Sequence, residues 1–119
     1  MGDLMWDLMI DLETLDTRPS AAVTQIGACF FNRDTGVIGS RMLTRIAPDL
    51  DRRSVSYPTI KWWMSQSEEA RDSVFGVHQI VERNPDGTIH NGLCALNDFV
   101  HDQGVDPSDL RVWAMPPTF

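Results

Sequence analysis

Between Leu4 and Leu12 the chain is almost continuously apolar, broken only by Asp7 and Asp11. The run is too short for a helix of ordinary length and has the pattern of a strand covered on both faces. A second apolar stretch, Ala22 to Phe31, follows the turn-forming Asp16-Thr17-Arg18-Pro19-Ser20. Asn32-Arg33-Asp34-Thr35-Gly36 then reads as a hairpin loop in which Gly36 is free to take a positive φ. A third strand over Val37 to Ile46 is predicted to pair antiparallel with the second.

After Pro48 the pattern changes. Asp49 to Pro58 reads as loop, and Thr59 begins a short helix carrying Ile60, Trp62, Trp63 and Met64. Ser67 is placed to cap a second helix through Glu68, Glu69, Ala70 and Val74. Asn84-Pro85-Asp86-Gly87 is a turn. Asn91 to Gln103 sets Leu93, Leu96, Phe99 and Val100 on one helical face, with Gly104 at the carboxyl-terminal cap. Leu110 to Met115 is a fourth strand, stopped by Pro116-Pro117. Three strands, helices, then a strand predict an α/β fold with a mixed sheet, the fourth strand lying parallel beside the first after a helical crossover.

The length of 119 residues suits one domain, residues 1–119, and 42% hydrophobic with 23% charged residues is the composition of a globular protein. Neither a membrane-spanning run nor a signal peptide is visible, so the expected location is cytoplasmic, away from the membrane. Cys29 and Cys94 have apolar sequence neighbours and no metal or redox spacing, and both are expected to be reduced packing residues. A formal charge of -7 argues against holding nucleic acid by bulk electrostatics. It leaves metal-assisted chemistry open, because bound divalent cations reverse the local field of an acidic site.

Asp11 and Glu13 stand two positions apart on the first strand, so both side chains leave the same face near its carboxyl end, where open α/β sheets place their sites. Two such carboxylates suit hard ions such as Mg²⁺ or Mn²⁺, and two ions can activate a water and stabilise a leaving oxygen. The triplet alone reads equally as a solvated acidic pair. Trp62 and Trp63 can stack on bases, although such a pair more often staples a helix to a sheet, with at least one ring in the core. Arg18, Arg52 and Arg53 are loop arginines that can touch phosphate or simply be solvated. Asp98 lies on the polar side of its helix and is expected to be solvated.

Taken in order, four segments resemble the DEDD exonucleases of the ribonuclease-H-like superfamily, in particular the bacterial and phage group similar to exodeoxyribonuclease VIII and, more distantly, ribonuclease T. They are Asp7-Leu8-Met9-Ile10-Asp11-Leu12-Glu13-Thr14 with Val23-Thr24-Gln25-Ile26-Gly27-Ala28, Thr59-Ile60-Lys61-Trp62-Trp63-Met64-Ser65-Gln66-Ser67, Glu69-Ala70-Arg71, and Val112-Trp113-Ala114 with Pro117-Thr118-Phe119. The resemblance implies a ribonuclease-H-like fold and a two-metal 3′–5′ exonuclease acting on DNA or RNA with a free 3′ end. It makes Asp11 and Glu13 catalytic metal ligands and sets Thr14 and Leu15 near the terminal nucleotide, with Arg18 nearby.

Such enzymes carry an aspartate directly after the position of Phe119, and later a motif with a histidine and another aspartate. His78, His90 and His101 do not occupy that motif. The chain is therefore expected to be the N-terminal portion of the domain, truncated at its carboxyl end and inactive by itself. The alternatives are a noncatalytic nucleic-acid or protein interaction module derived from an exonuclease, or a structural fragment. Truncation is further expected to leave apolar surface around Trp113, Met115 and Phe119, and so to drive homo-oligomer formation.

Overall fold

The first apolar run becomes the interior strand of the sheet because it finds a hydrogen-bonding partner on each edge. A computed structural model describes residues 6–75 and 87–114. In it β1 (Trp6–Thr14) pairs antiparallel with β2 (Val23–Asn32), and β2 pairs antiparallel with β3 (Ile38–Arg45). Then come α1 (Tyr57–Met64), α2 (Glu68–Phe75), α3 (Ile89–Asp102), a 3₁₀ turn over Pro107–Asp109, and β4 (Arg111–Ala114). β4 lies parallel to β1 with Leu8 opposite Val112, giving the order β3-β2-β1-β4. This is the mixed α/β sheet anticipated from the sequence, with the parallel crossover supplied by the helical segment.

The hairpin between β2 and β3 is built as its composition suggested. Asn32 is buried and its side-chain oxygen accepts from the amides of Asp34 and Thr35, while Gly36, at φ 75°, donates to the Asn32 carbonyl. A left-handed conformation there carries a steric cost for any residue with a Cβ. Farther along, the Ser67 hydroxyl accepts from Ala70 N at the start of α2, as expected of a cap. Thr88, one turn earlier than the sequence pattern suggested, caps α3 by accepting from Asn91 N. Gly104 follows the helix with φ 70°. Of the turn expected at 84–87 only Gly87 lies within the described residues, and it too has φ 70°.

α3 covers one face of the sheet. Leu8, Ala28, Phe30 and Met42 from the strands meet Ala95 and Phe99, with the Phe30 and Phe99 rings 5.3 Å apart. Burying a ring of this size contributes about 1.5–3 kcal/mol. The buried stripe of α3 is Gly92, Ala95 and Phe99, flanked by Leu96 and Val100. Two expectations are thereby corrected. Leu93 is 53% exposed, because it lies to one side of the buried stripe of Gly92, Ala95 and Phe99. Cys94 is also exposed, since it follows Leu93 round the helix onto the solvent side. Asp98 is exposed, as anticipated.

α1 and α2 pack at the carboxyl end of β1, where Leu15, Ala22, Trp63 and Val74 form a second cluster. The middle of the face opposite α3 stays open: Met9, Cys29 and Phe31 are half-buried, and Leu43 and Trp113 are exposed. The expectation that β1 is covered on both faces therefore holds for one face among the described residues. Met115 and Phe119 lie outside those residues, as do His78 and Pro116-Pro117. No described helix is long and apolar enough to cross a membrane.

Two carboxylates fasten this frame. Asp7 is buried on β1, where it accepts from the Trp113 indole nitrogen at 2.8 Å and lies 3.9 Å from Arg33, tying β4 to the central strand. Asp16 is buried in the loop after β1 and accepts from Arg18 Nε and Thr17 N. A hydrogen bond from Ser54, then the one from Arg18, holds its carboxyl down at about 2.

Two outcomes are expected. Asp7→Ala should cost about 1–3 kcal/mol in urea unfolding, because the buried acceptor of the Trp113 indole bond is lost together with the Arg33 ion pair. Asp7→Asn, which keeps an acceptor, should cost less, and equal losses would show that the Arg33 charge rather than the indole bond is what matters. The Asp16 carboxylate should contribute its full stability above the unfolded aspartate range near pH 4 and lose it as pH falls toward 2. Acid titration of Asp16→Asn should therefore lack that component of the wild-type loss.

Candidate active site

Asp11 and Glu13 occupy alternate positions on β1, so the period of two places them on the open face of the sheet, near the carboxyl end of the strand. Asp11 is opposite Gly27 on β2, and Glu13 is opposite Gln25. Gly27 presents no side chain across from Asp11, and on its other side it meets Leu43 of β3. A Cβ there would touch Leu43 Cδ1 at 3.6 Å, an ordinary contact, so the backbone does not demand glycine. What the missing side chain provides is space beside the Asp11 carboxylate, one of the uses of a strand-interior glycine. A shallow depression of about 500 Å³ results, lined by Met9, Asp11, Gly27, Cys29, Arg41 and Leu43 among others.

Immediately beyond Glu13 the ladder slips. A bulge between Glu13 and Thr14 brings Thr14 opposite Val23, and bulges commonly re-aim side chains beside functional sites. Here the strand end forms one wall of a second depression, of about 660 Å³, within the usual range for small-ligand pockets. Its lining includes Leu12, Glu13, Thr14, Thr59, Trp62 and Trp63. The two carboxylates thus share a face, with Asp11 on the open-sheet side and Glu13 on the tryptophan side.

Their charges act on one another. Burial pushes the Glu13 carboxyl above its ordinary range, and the nearby Asp11 charge pushes it in the same direction. A half-buried carboxylate facing a like charge is stabilised by a cation between them. The donor set is two hard oxygens, which suits Mg²⁺ or Mn²⁺ in a largely hydrated state. Among the described residues no group of three or more histidine, cysteine, aspartate or glutamate side chains gathers to hold an ion. Asp11 and Glu13 accordingly fit one hydrated ion, and a two-ion clamp calls for further ligands.

The tryptophans divide their work. Trp63 is buried, and its indole nitrogen donates to the Thr14 carbonyl at 2.9 Å. Trp62 is 56% exposed and lines the pocket, with its ring edge-on to Trp63 at 4.9 Å. Sequence reasoning left open which of the two was the core residue, and the reach of the Trp63 indole to the Thr14 carbonyl decides it. Thr14 lines the pocket while its hydroxyl donates to the Asp16 carbonyl.

The remaining candidates fall elsewhere. The Leu15 side chain is buried in the second core cluster beside Ala22, Trp63 and Val74. Arg18 is exposed but paired with Asp16 at 2.7 Å. Arg53 donates to the Pro19 and Ala21 carbonyls and so serves the loop. Arg52 is exposed. His90 and His101 are exposed on α3, which covers the other face of the sheet. Gly27 was missed as a site residue, although an isolated glycine inside a strand pattern is a signal of close approach.

Comparison with known proteins places the chain in a family. The chain is 25% identical over 124 residues to the exodeoxyribonuclease of Enterobacteria phage T4, an alignment that takes in 97% of this chain and 52% of that protein. The chain thus spans about half the length of that curated relative. Its fold is similar to the crystal structure of cell-death related nuclease 4, with a TM-score of 0.53 at 10% identity, over 92% of this chain and 35% of that one. The model of the 3'-5' exoribonuclease Rv2179c-like domain matches residues 6–119, and the chain belongs to that family.

Proposed function

We propose that this chain carries the first acidic pair and the terminal-nucleotide pocket of a metal-dependent 3′–5′ exonuclease acting on nucleic acid with a free 3′ end. The observation that carries the reading is a pair of interacting carboxylates on one strand face, Asp11 and Glu13, of which Glu13 borders a pocket of nucleotide size that presents an exposed tryptophan. Asp11 and Glu13 hold Mg²⁺ or Mn²⁺, and such an ion, when bound, supplies a polarised water and offsets the charge of the scissile phosphate.

Trp62 offers a ring face on which the terminal base stacks, and stacking of this kind is tolerant of base identity. Trp63 fixes the strand end that carries Glu13, so the carboxylate and the stacking ring keep a set separation. Thr14 borders the same pocket on the side of the sugar and phosphate. Gly27 keeps the approach to Asp11 clear. The described residues supply only two of the ligands of a two-ion site, so the 119-residue chain itself should hold one ion weakly and hydrolyse slowly.

Removing the mutual repulsion should stabilise the fold while destroying the site. A glutamate whose folded pKa is raised binds its proton more tightly when folded. Stability is therefore lost as pH climbs from the unfolded value through the folded one, and the penalty is complete at neutral pH. Glu13→Gln should melt at a higher temperature than wild type at pH 7 without divalent ions, and the gap should close below the glutamate range. A lower melting temperature at pH 7 would mean that the Glu13 charge is already compensated.

Mn²⁺ binding followed by electron paramagnetic resonance, alongside trimming of 5′-labelled RNA and DNA strands, tests the function. The expected result is about one weakly held ion per chain, displaced by Mg²⁺ and lost in Asp11→Ala, with trimming barely above background and confined to the 3′ end. Binding that survives Asp11→Ala and Glu13→Gln overturns the metal site. Internal cuts or loss from the 5′ end overturn the polarity. Rapid stepwise trimming abolished by Asp11→Ala would show that the chain already holds a complete site.

A further inference from the structure

Away from the proposed active site, the outer side of α3 brings together two metal-ligating side chains whose exposure the sequence did not reveal. Cys94 Sγ and His90 Nε2 are 3.7 Å apart on neighbouring turns, and both residues are exposed. The spacing is i, i+4, and side chains on a helix lean toward its amino end, so the thiol lies over the turn that carries the imidazole. We infer that His90 and Cys94 form a bidentate surface site for a divalent transition-metal ion of borderline softness, Zn²⁺ above all.

The bite distance supports this. Zn–N bonds of about 2.0–2.1 Å and a Zn–S bond of about 2.3 Å at a tetrahedral angle place nitrogen and sulfur about 3.6 Å apart. The pair therefore needs almost no rearrangement to close on an ion. In the metal-free chain the same separation is a thiol–imidazole hydrogen bond, with a proton lying where the ion would lie. On binding, the Cys94 thiol gives its proton to solvent and the sulfur becomes the anionic donor, while neutral His90 donates its Nε2 lone pair, so binding strengthens as pH rises.

The donor types also separate this site from the carboxylates of the sheet. A nitrogen and a thiolate favour Zn²⁺ and Co²⁺ over Mg²⁺, whereas Asp11 and Glu13 favour the hard ions. α3 covers the face of the sheet opposite the carboxylates, so both sites can be loaded at once. With no third described side chain in reach, water completes the coordination.

Cobalt(II) titration of the full chain under reducing conditions tests the inference through the thiolate-to-cobalt charge-transfer band, which a carboxylate site cannot produce. The band should appear, should be displaced by Zn²⁺ and should be indifferent to excess Mg²⁺. It should vanish in Cys94→Ser, and Zn²⁺ affinity measured against a chromophoric chelator should fall roughly tenfold or more in both Cys94→Ser and His90→Gln. Cys29→Ser and the double variant Asp11→Ala/Glu13→Gln should keep the band. Because both ligands are exposed, the variants should retain the wild-type circular dichroism and melting temperature. No band, a band that survives Cys94→Ser, or Zn²⁺ affinity unchanged by His90→Gln would overturn the site.

Discussion

The hydrogen bond from the Trp63 indole to the Thr14 carbonyl joins the sheet to the helices where the strand ladder breaks. At the bulge β1 loses regular pairing, and a buried carbonyl left without a donor costs on the order of 1–3 kcal/mol. Trp63 supplies the donor from α1, and its ring fills the second core with Leu15, Ala22 and Val74. One side chain therefore satisfies the strand end, anchors α1 and sets the exposed neighbour Trp62 against the pocket. The carboxylate pair gains a rigid platform through the same contact. Loops alone would place Glu13 and Trp62 less reproducibly than a strand and a helix stapled together.

Much of this arrangement is written in local pattern. The apolar run through β1, the Asn32-to-Gly36 hairpin and the capping Ser67 each make one structure favourable on short-range grounds, and strand order follows from the parallel crossover rule. The i, i+2 spacing of Asp11 and Glu13 is likewise visible, because a strand converts that spacing into a shared face. Legibility fails where tertiary packing decides. Leu93 looks like a core residue by type, yet the buried stripe of α3 runs through Gly92, Ala95 and Phe99 and leaves Leu93 outside it. Leu15 follows the acidic motif directly, yet Trp63 and Val74 from the helices close over it and make it core. The choice between Trp62 and Trp63 turned on which indole could reach the Thr14 carbonyl, a contact between residues 49 positions apart.

Asp7 and Asp11 show how position alone divides like residues into different roles. Both are aspartates on β1 and both lie on the face away from α3. Asp7 stands beside β4, buried, with the Trp113 indole and Arg33 near its carboxylate. Asp11 is exposed beside a glycine, with Glu13 as its charged neighbour. A carboxylate whose hydrogen bonds are met by the protein is structural, and one left facing solvent and a like charge is available to a ligand.

The same logic reconciles an acidic chain with the nucleic-acid substrate proposed for it. At a net charge of -7 the protein repels a polyanion at long range. Of its arginines near the strand ends, Arg18 is engaged with Asp16 and Arg53 with loop carbonyls. Under the proposed function, attraction arises at short range, from a cation held by Asp11 and Glu13 and from base stacking on Trp62. Such a site discriminates by geometry: a strand end can enter a pocket bounded by a sheet on one side and α1 on the other, whereas a continuous duplex gains no electrostatic reward for lying across the surface. Under the function proposed above, substrate binding is therefore coupled to metal loading, since without a cation the acidic pair repels a phosphate.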